Sequence, residues 1–185
     1  MKITLASIKT DRLGFSDNFK KFKKVIDSQD SDLCLFSNSP LTGGRVGEYQ
    51  NTPFLEDDYQ NTIKELKSIK KPYLFFDQGK TYTNYNKALL CLDKLPKVLE
   101  TKEKLNIIMP IIKGTVTKRE YIHNWLKVNS FLTKATIILL SPNQSFSSSG
   151  NSFLQVASIF IKGEEIFFHA DYTFDDFVMT FDLGD

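Results

Sequence analysis

The stretch Ser31-Asp-Leu-Cys-Leu-Phe-Ser-Asn-Ser-Pro-Leu-Thr-Gly-Gly44 decides how the rest of the chain is read. Leu33 to Phe36 is a short apolar run of strand character, and it leads straight into a polar turn closed by Thr42, Gly43 and Gly44. A strand that ends in Ser37-Asn38-Ser39 sets three polar side chains at its carboxyl end. Open α/β architectures carry their ligand chemistry at that place.

Upstream, Lys2 to Ile8 alternates and is rich in β-formers, which predicts a first strand. Ser16-Asp-Asn-Phe19 offers a helix N-cap, after which Phe19, Phe22, Val25 and Ile26 recur on one helical face. Lys20, Lys21, Lys23 and Lys24 decorate the other face and read as solvated surface. The order strand, helix, strand favours parallel pairing. Downstream, Tyr59, Ile63, Leu66 and Ile69 fit a second helix, Pro72 stops it, and Tyr73 to Asp77 makes a third strand. Gly79-Lys80-Thr81 looks like the end of a phosphate loop, but Leu74 stands where the first Gly belongs, so that reading is discarded.

Further along, Tyr85 to Asp93 predicts an apolar strand, and Leu105 to Ile112 another, with Pro110 implying a bulge or an edge. A helix carrying Tyr121, Ile122, Trp125, Leu126 and Leu132 on one face precedes a buried strand at Ala135 to Leu140. Ser141 to Ser152 reads as a Ser/Gly loop. Phe153 to Ile161, Glu165 to Ala170 and Phe177 to Asp182 then read as a meander, with Gly163 turning the first pair.

A chain of 185 residues is expected to form a single domain over 1–185, long enough to bury a core without metals or disulfides. With 41% hydrophobic and 25% charged residues it falls among ordinary soluble globular chains. Cys34 and Cys91 both lie in apolar runs, where a thiol behaves as a small buried hydrophobe, and a reducing compartment is expected. The start, Met1 to Lys9, is interrupted too soon for a signal core, and no run reaches membrane-spanning length. The expectation is a cytoplasmic protein without a membrane partner. The net charge of +2 is carried almost wholly by Lys, with Arg only at 12, 45 and 119, which argues against a nucleic-acid partner. His123 and His169 have no metal-site spacing, so no metal and no cofactor is expected.

The stretch from Asp32 to Gly43 resembles the strand of the carbon–nitrogen hydrolase (nitrilase) superfamily that reads Asp-Leu-Val-Val-Phe-Pro-Glu-Leu-Ala-Leu-Thr-Gly. Asp32, Leu33, Phe36, Leu41, Thr42 and Gly43 match it, while Ser37 stands at the Pro position and Asn38 at that of the catalytic Glu. Within the superfamily the chain is most similar to the glutaminase domain of glutamine-dependent NAD synthetase, on the Pro53-Phe54-Leu55 helix entry and the Tyr85-Asn86 strand entry. The resemblance implies an α/β (α+β) chain folded as a nitrilase-type α-β-β-α sandwich, here truncated. It places the oxyanion-holding Lys nearest Lys94, and Lys113 or Gly114 where the nucleophilic Cys belongs. Ser37, Ser39, Tyr85, Gln144 and Ser145 become candidates for the pocket lining.

The family's chemistry needs a thiolate nucleophile, a carboxylate base and an oxyanion donor acting together. Asn38 donates and accepts hydrogen bonds but is no base near neutral pH. A thiol buried among leucines is inert, so neither Cys34 nor Cys91 is expected to replace the nucleophile. Three functions follow in order. The first is a catalytically degenerate member that binds a small ligand or a partner such as a synthetase. The second is an amidohydrolase with a rearranged site, and the third a structural assembly subunit, which the 13% aromatic content permits. The resemblance also implies a homodimer formed through outer helical faces.

Overall fold

Alternating apolar and β-branched residues make β1 (Lys2–Ser7), and the amphipathic run after it makes α1 (Phe15–Ser28). The order continues β2 (Leu33–Phe36), α2 (Pro53–Leu66), β3 (Tyr73–Asp77), β4 (Lys80–Thr83), β5 (Leu90–Leu92) and β6 (Leu105–Ile108). It closes with α3 (Val116–Thr133), β7 (Thr136–Leu140), β8 (Gln155–Ile161), β9 (Glu164–Asp171) and β10 (Phe177–Asp182). The structure, a computed structural model, describes residues 1–11, 13–43, 53–112, 116–142, 154–172 and 175–184, with backbone alone for 53–55 and 116–117. It divides into one unit of Met1–Tyr85 with Asp175–Asp185 and a second of Asn86–Phe174. Each unit holds one five-stranded sheet.

The first sheet runs β10-β1-β2-β3-β4. β1, β2 and β3 are parallel, as the strand–helix–strand order predicts, and β4 and β10 flank them antiparallel. One face, with Ala6, Cys34, Phe36, Tyr73 and Phe75, packs against Phe19, Phe22 and Ile26 of α1 and Leu66 of α2. Phe22 anchors this layer, with its ring 4.0 Å from that of Phe36 and edge-on to Phe75 at 5.2 Å. Aromatic pairs of this kind add to the area they bury.

Helix α1 starts one residue before the expected Ser16 cap. Gly14 is its N-cap and no side chain caps it. Burial sets the start instead: Phe15 is fully enclosed and its ring lies 5.4 Å from that of Tyr59. The other end is closed by Lys71, whose Nζ donates to the carbonyls of Ile26 (3.0 Å) and Gln29 (2.8 Å). Ile69 lies beyond the end of α2, in the turn that follows.

Gly79-Lys80-Thr81, which carries no phosphate loop, is the start of an unforeseen strand. Gln78 (φ 54°) and Gly79 (φ 69°) form a two-residue turn that pairs Asp77 with Lys80. Positive φ at both central residues is the turn whose twist suits a hairpin. The expected strand over Tyr85 to Asp93 shrinks to Leu90–Leu92. Its first residues belong to the hairpin's end, where the Tyr85 N–H donates to Thr83 Oγ1 and Asn84 accepts from the Tyr73 N–H.

The second sheet runs β5-β6-β7-β8-β9, with β5, β6 and β7 parallel. Ile108, Ile137, Leu139, Val156, Phe160 and Ala170 turn one face to Ile122, Trp125 and Leu126 of α3. β6 stops at Ile108 rather than reaching Ile112, because Pro110 has no N–H for a ladder. On α3, Tyr121 and Leu132 are not part of the buried face; they are 55% and 66% exposed, and Asn129 and Ser130 are buried in their place. Lys162 (φ 52°) and Gly163 (φ 91°) repeat the two-residue hairpin between β8 and β9. A Cβ on Gly163 would stand 2.9 Å from that of Phe131, so the position requires glycine twice over. The expected three-strand meander ends here: β10 pairs with β1 in the first unit, not with β9. Among the described residues no helix is long and apolar enough to cross a membrane.

Candidate functional site

In the first unit, the chain leaves β2 through Ser37, whose N–H still bonds the Ala6 carbonyl at 3.0 Å. Ser39 then turns into the left-handed region (φ 62°), its N–H donating to Phe76 O and its carbonyl accepting from Gly43 N–H. The Ser39 hydroxyl donates to Asn38 Oδ1 at 2.8 Å. Ser37 and Ser39 are buried, and Asn38 is half-buried. These three polar groups therefore sit at the carboxyl rim of β2 as the sequence implies, held by hydrogen bonds within the turn.

What holds the turn is a residue the sequence reading gave no role. Asp77, fully buried at the end of β3, accepts from Leu41 N–H (3.0 Å), Thr42 N–H (3.1 Å) and Thr42 Oγ1 (2.6 Å). Burial pushes its carboxyl above the ordinary carboxylate range, against the pull of the Thr42 hydroxyl and the two N–H groups. Asn18 of α1 completes the clasp by donating to Leu41 O at 2.8 Å. The visible signal for Asp77 was a charge ending an otherwise apolar strand.

Tyr85 is not part of this rim. Its hydroxyl lies 4.0 Å from Met1 Sδ, beside the start of β1, at the opposite end of the sheet from Asn38. Gln144, Ser145, Lys113 and Gly114 lie outside the described residues.

Lys94 belongs to the second unit, just past the carboxyl end of β5. There it lines a hollow of about 420 Å³ with Asp93, Leu95, Pro110 and Ile112, closed by Lys118, Tyr121 and Ile122 of α3. Ile111, 44% exposed, forms its lip. The loop carrying Lys94 is anchored from below, since the Leu99 N–H donates to Asn129 Oδ1 (2.9 Å) and Trp125 Nε1 to Lys97 O.

Neither cysteine is poised for attack. Cys34 is buried, with its thiol 3.3 Å from Ser31 Oγ, and burial raises its pKa. Cys91 is half-buried, and burial with the nearby Asp93 charge pushes its thiol up to about 12. His123 bonds Glu165 Oε2 through Nε2 at 2.6 Å, between the edges of Phe160 and Phe168. Among the described residues no group of His, Cys, Asp and Glu could hold a metal ion.

No protein-family model matches the sequence, and no curated protein matches it. Solved structures do match. The glutamine-dependent NAD+ synthetase of Acinetobacter baumannii is similar over 98% of this chain and 45% of its own, at 14% identity and TM-score 0.72. The corresponding synthetase of Cytophaga hutchinsonii is similar over 98% and 42%, at 10% identity and TM-score 0.64. A nitrilase-superfamily amidase from Nesterenkonia AN1 is similar over 100% of this chain and 91% of its own, at 12% identity and TM-score 0.67. The fold is that of the carbon–nitrogen hydrolases, as the resemblance at Asp32 to Gly43 implies, in a mixed α+β form with two sheets and three helices among the described residues. At these identities the likeness is one of fold, and the chain spans less than half the length of the synthetases it matches.

Proposed function

We propose that residues 1–185 act as one catalytically silent domain that works by binding, with a carbon–nitrogen hydrolase scaffold turned from turnover to recognition. The observation that carries this reading is Asn38. At the position where the resemblance puts the catalytic base there is an amide whose oxygen accepts the Ser39 hydroxyl, and an amide takes no proton near neutral pH. The raised pKa values of both thiols favour it over a rearranged amidohydrolase, since the thiolate is the nucleophile. Two unpaired thiols also fit a reducing, cytoplasmic setting.

The test is ammonia release from glutamine and a small amide panel, beside mass spectrometry after an electrophilic glutamine analogue. Silence in both is expected. Turnover with an adduct on Cys34 or Cys91 sinks the reading.

A second role, assembly, is favoured by the outer face of α3. Tyr121, Val128 and Leu132 follow one another along that helix at 53–66% exposure, and Val98, between the Lys97 and Leu99 groups that bond Trp125 and Asn129, is 64% exposed. A stripe of this kind suits a homodimer, or docking on a synthetase-like partner. Sedimentation of the wild type against Leu132→Glu decides it: a dimer that dissociates in the variant supports the role, and a monomer in both removes the homodimer.

A further inference from the structure

We infer that the end of the second unit where α3 finishes docks on an anionic lipid surface, with Phe131 and Leu132 entering the interfacial layer and the lysines around them meeting its headgroups. This goes beyond the binding and assembly roles above. Val128, Phe131 and Leu132 stand at helical spacings of three and four, so they share one face of the last turns of α3. Phe131 and Leu132 are each 66% exposed, and Val128 is exposed too. The β8–β9 hairpin braces this helix end: the Gly163 N–H donates to Ser130 Oγ at 2.9 Å, and Gly163 lies close enough to Phe131 to exclude a Cβ.

The same end is basic. β6 and β7 start here and β8 ends here, with the Thr136 N–H donating to Lys104 O (2.8 Å) and the Lys162 N–H to Ala135 O (3.2 Å). Lys102, Lys104, Lys134 and Lys162 fall within three residues of these strand ends and are all exposed, against Glu103 and Glu164. Among the described residues none of the four ammonium groups pairs with a carboxylate. A soluble polyanion would use this charge and leave the apolar face in water. A second copy seated end to end would use the apolar face and set lysine against lysine. A bilayer with acidic headgroups uses both, because the apolar side chains shed water into the interface and each nearby lysine is drawn by the negative surface potential. A helix end beside a two-residue hairpin projects its side chains, which suits a surface that needs no pocket. The contact needs no spanning helix, and it departs from the expectation of a chain without a membrane partner.

The experiment co-sediments the whole protein with vesicles of phosphatidylcholine alone or mixed with phosphatidylserine, in about 0.1 M salt, where charges more than about 10 Å from the surface are screened. Binding is expected only to the mixed vesicles and should fall as the salt is raised. Phe131→Ser should weaken it about tenfold. Lys134→Glu with Lys162→Glu should weaken it about a hundredfold. Lys94→Glu with Arg119→Glu, the same charge change toward the opposite end of α3, should leave it nearly unchanged; all these side chains are exposed. Failure to bind the mixed vesicles overturns the inference. So does an equal loss from the two charge changes, which would make net charge the cause, and so does binding that Phe131→Ser leaves intact. Without vesicle binding, retention on heparin that the Lys134 and Lys162 change abolishes assigns the end to a soluble polyanion, and a dimer that Phe131→Ser dissolves assigns it to a second copy.

Discussion

The rim beyond β2 and β3 and the rim beyond β5 and β6 begin from the same kind of position, the carboxyl end of a parallel pair, and they end differently. In the first, every named polar group is turned inward. Asp77 takes three donors, Ser39 bonds Asn38, and Asn18 reaches across to Leu41. In the second, the same rim position opens into a hollow whose walls include Leu95, Pro110, Ile112 and Ile122. Strand ends supply a place for chemistry; what the neighbouring loops do with their hydrogen bonds decides whether that place is closed or available. A clasped rim stabilises its own turn, while an open one leaves a hollow between its loops.

That contrast can be broken most sharply at Asp77. Asp77→Ala leaves the buried Leu41 N–H, Thr42 N–H and Thr42 hydroxyl without their acceptor, and should cost about 4 kcal/mol in denaturant unfolding. The counterpart in the second unit is Asn129→Ala, which strips the Leu99 N–H of its partner beneath the Lys94 loop and should cost about 2 kcal/mol. A smaller effect is set by pH. Because burial raises the Asp77 carboxyl in the folded state, its stabilising contribution is whole below the ordinary Asp value of about 4 and is lost as the pH rises through the folded-state value. The melting-temperature gap between wild type and Asp77→Asn should therefore be wider at pH 4 than at pH 8. An equal gap at both would mean that the buried clasp does not titrate. Smallest of all, Lys94→Met should leave the unfolding midpoint where it is, since Lys94 is an exposed side chain away from the core. A clear loss of stability there would make the second rim as closed as the first.

The parts of this architecture that local pattern controls are legible in the sequence. Leu33 to Phe36 and Tyr73 to Asp77 were legible as strands because apolar runs are bounded by turn residues, and the parallel pairing of β1 and β2 followed from the helix between them. The β3–β4 hairpin is hidden by the likeness of Gly79-Lys80-Thr81 to a phosphate loop, although the Gln78-Gly79 pair is the turn that matters. The resemblance carries a strand through Tyr85, whereas the Asn84 bond to Tyr73 ends the hairpin there. Asn38 was readable from its turn; Asp77 was not, because its partners lie 35 and 36 residues away and pair only after the sheet has formed. Tyr121 and Leu132 fit the helical period, yet period alone cannot say which arc of α3 the sheet covers.

The pairing of β10 with β1 has a consequence for how the protein is made. Lys2–Ser7 emerges from the ribosome before the second unit, and the strand that covers its edge, Phe177–Asp182, emerges after the whole of it. For that interval β1 presents a bare row of N–H and C=O groups, open to any passing strand. The second unit can gather its own sheet from nearby residues in the meantime, but the first must wait for a partner that is its most distant segment. Slow closure and a need for chaperoning during synthesis should thus fall on the first unit, and a nascent chain stalled before Phe177 should aggregate through β1.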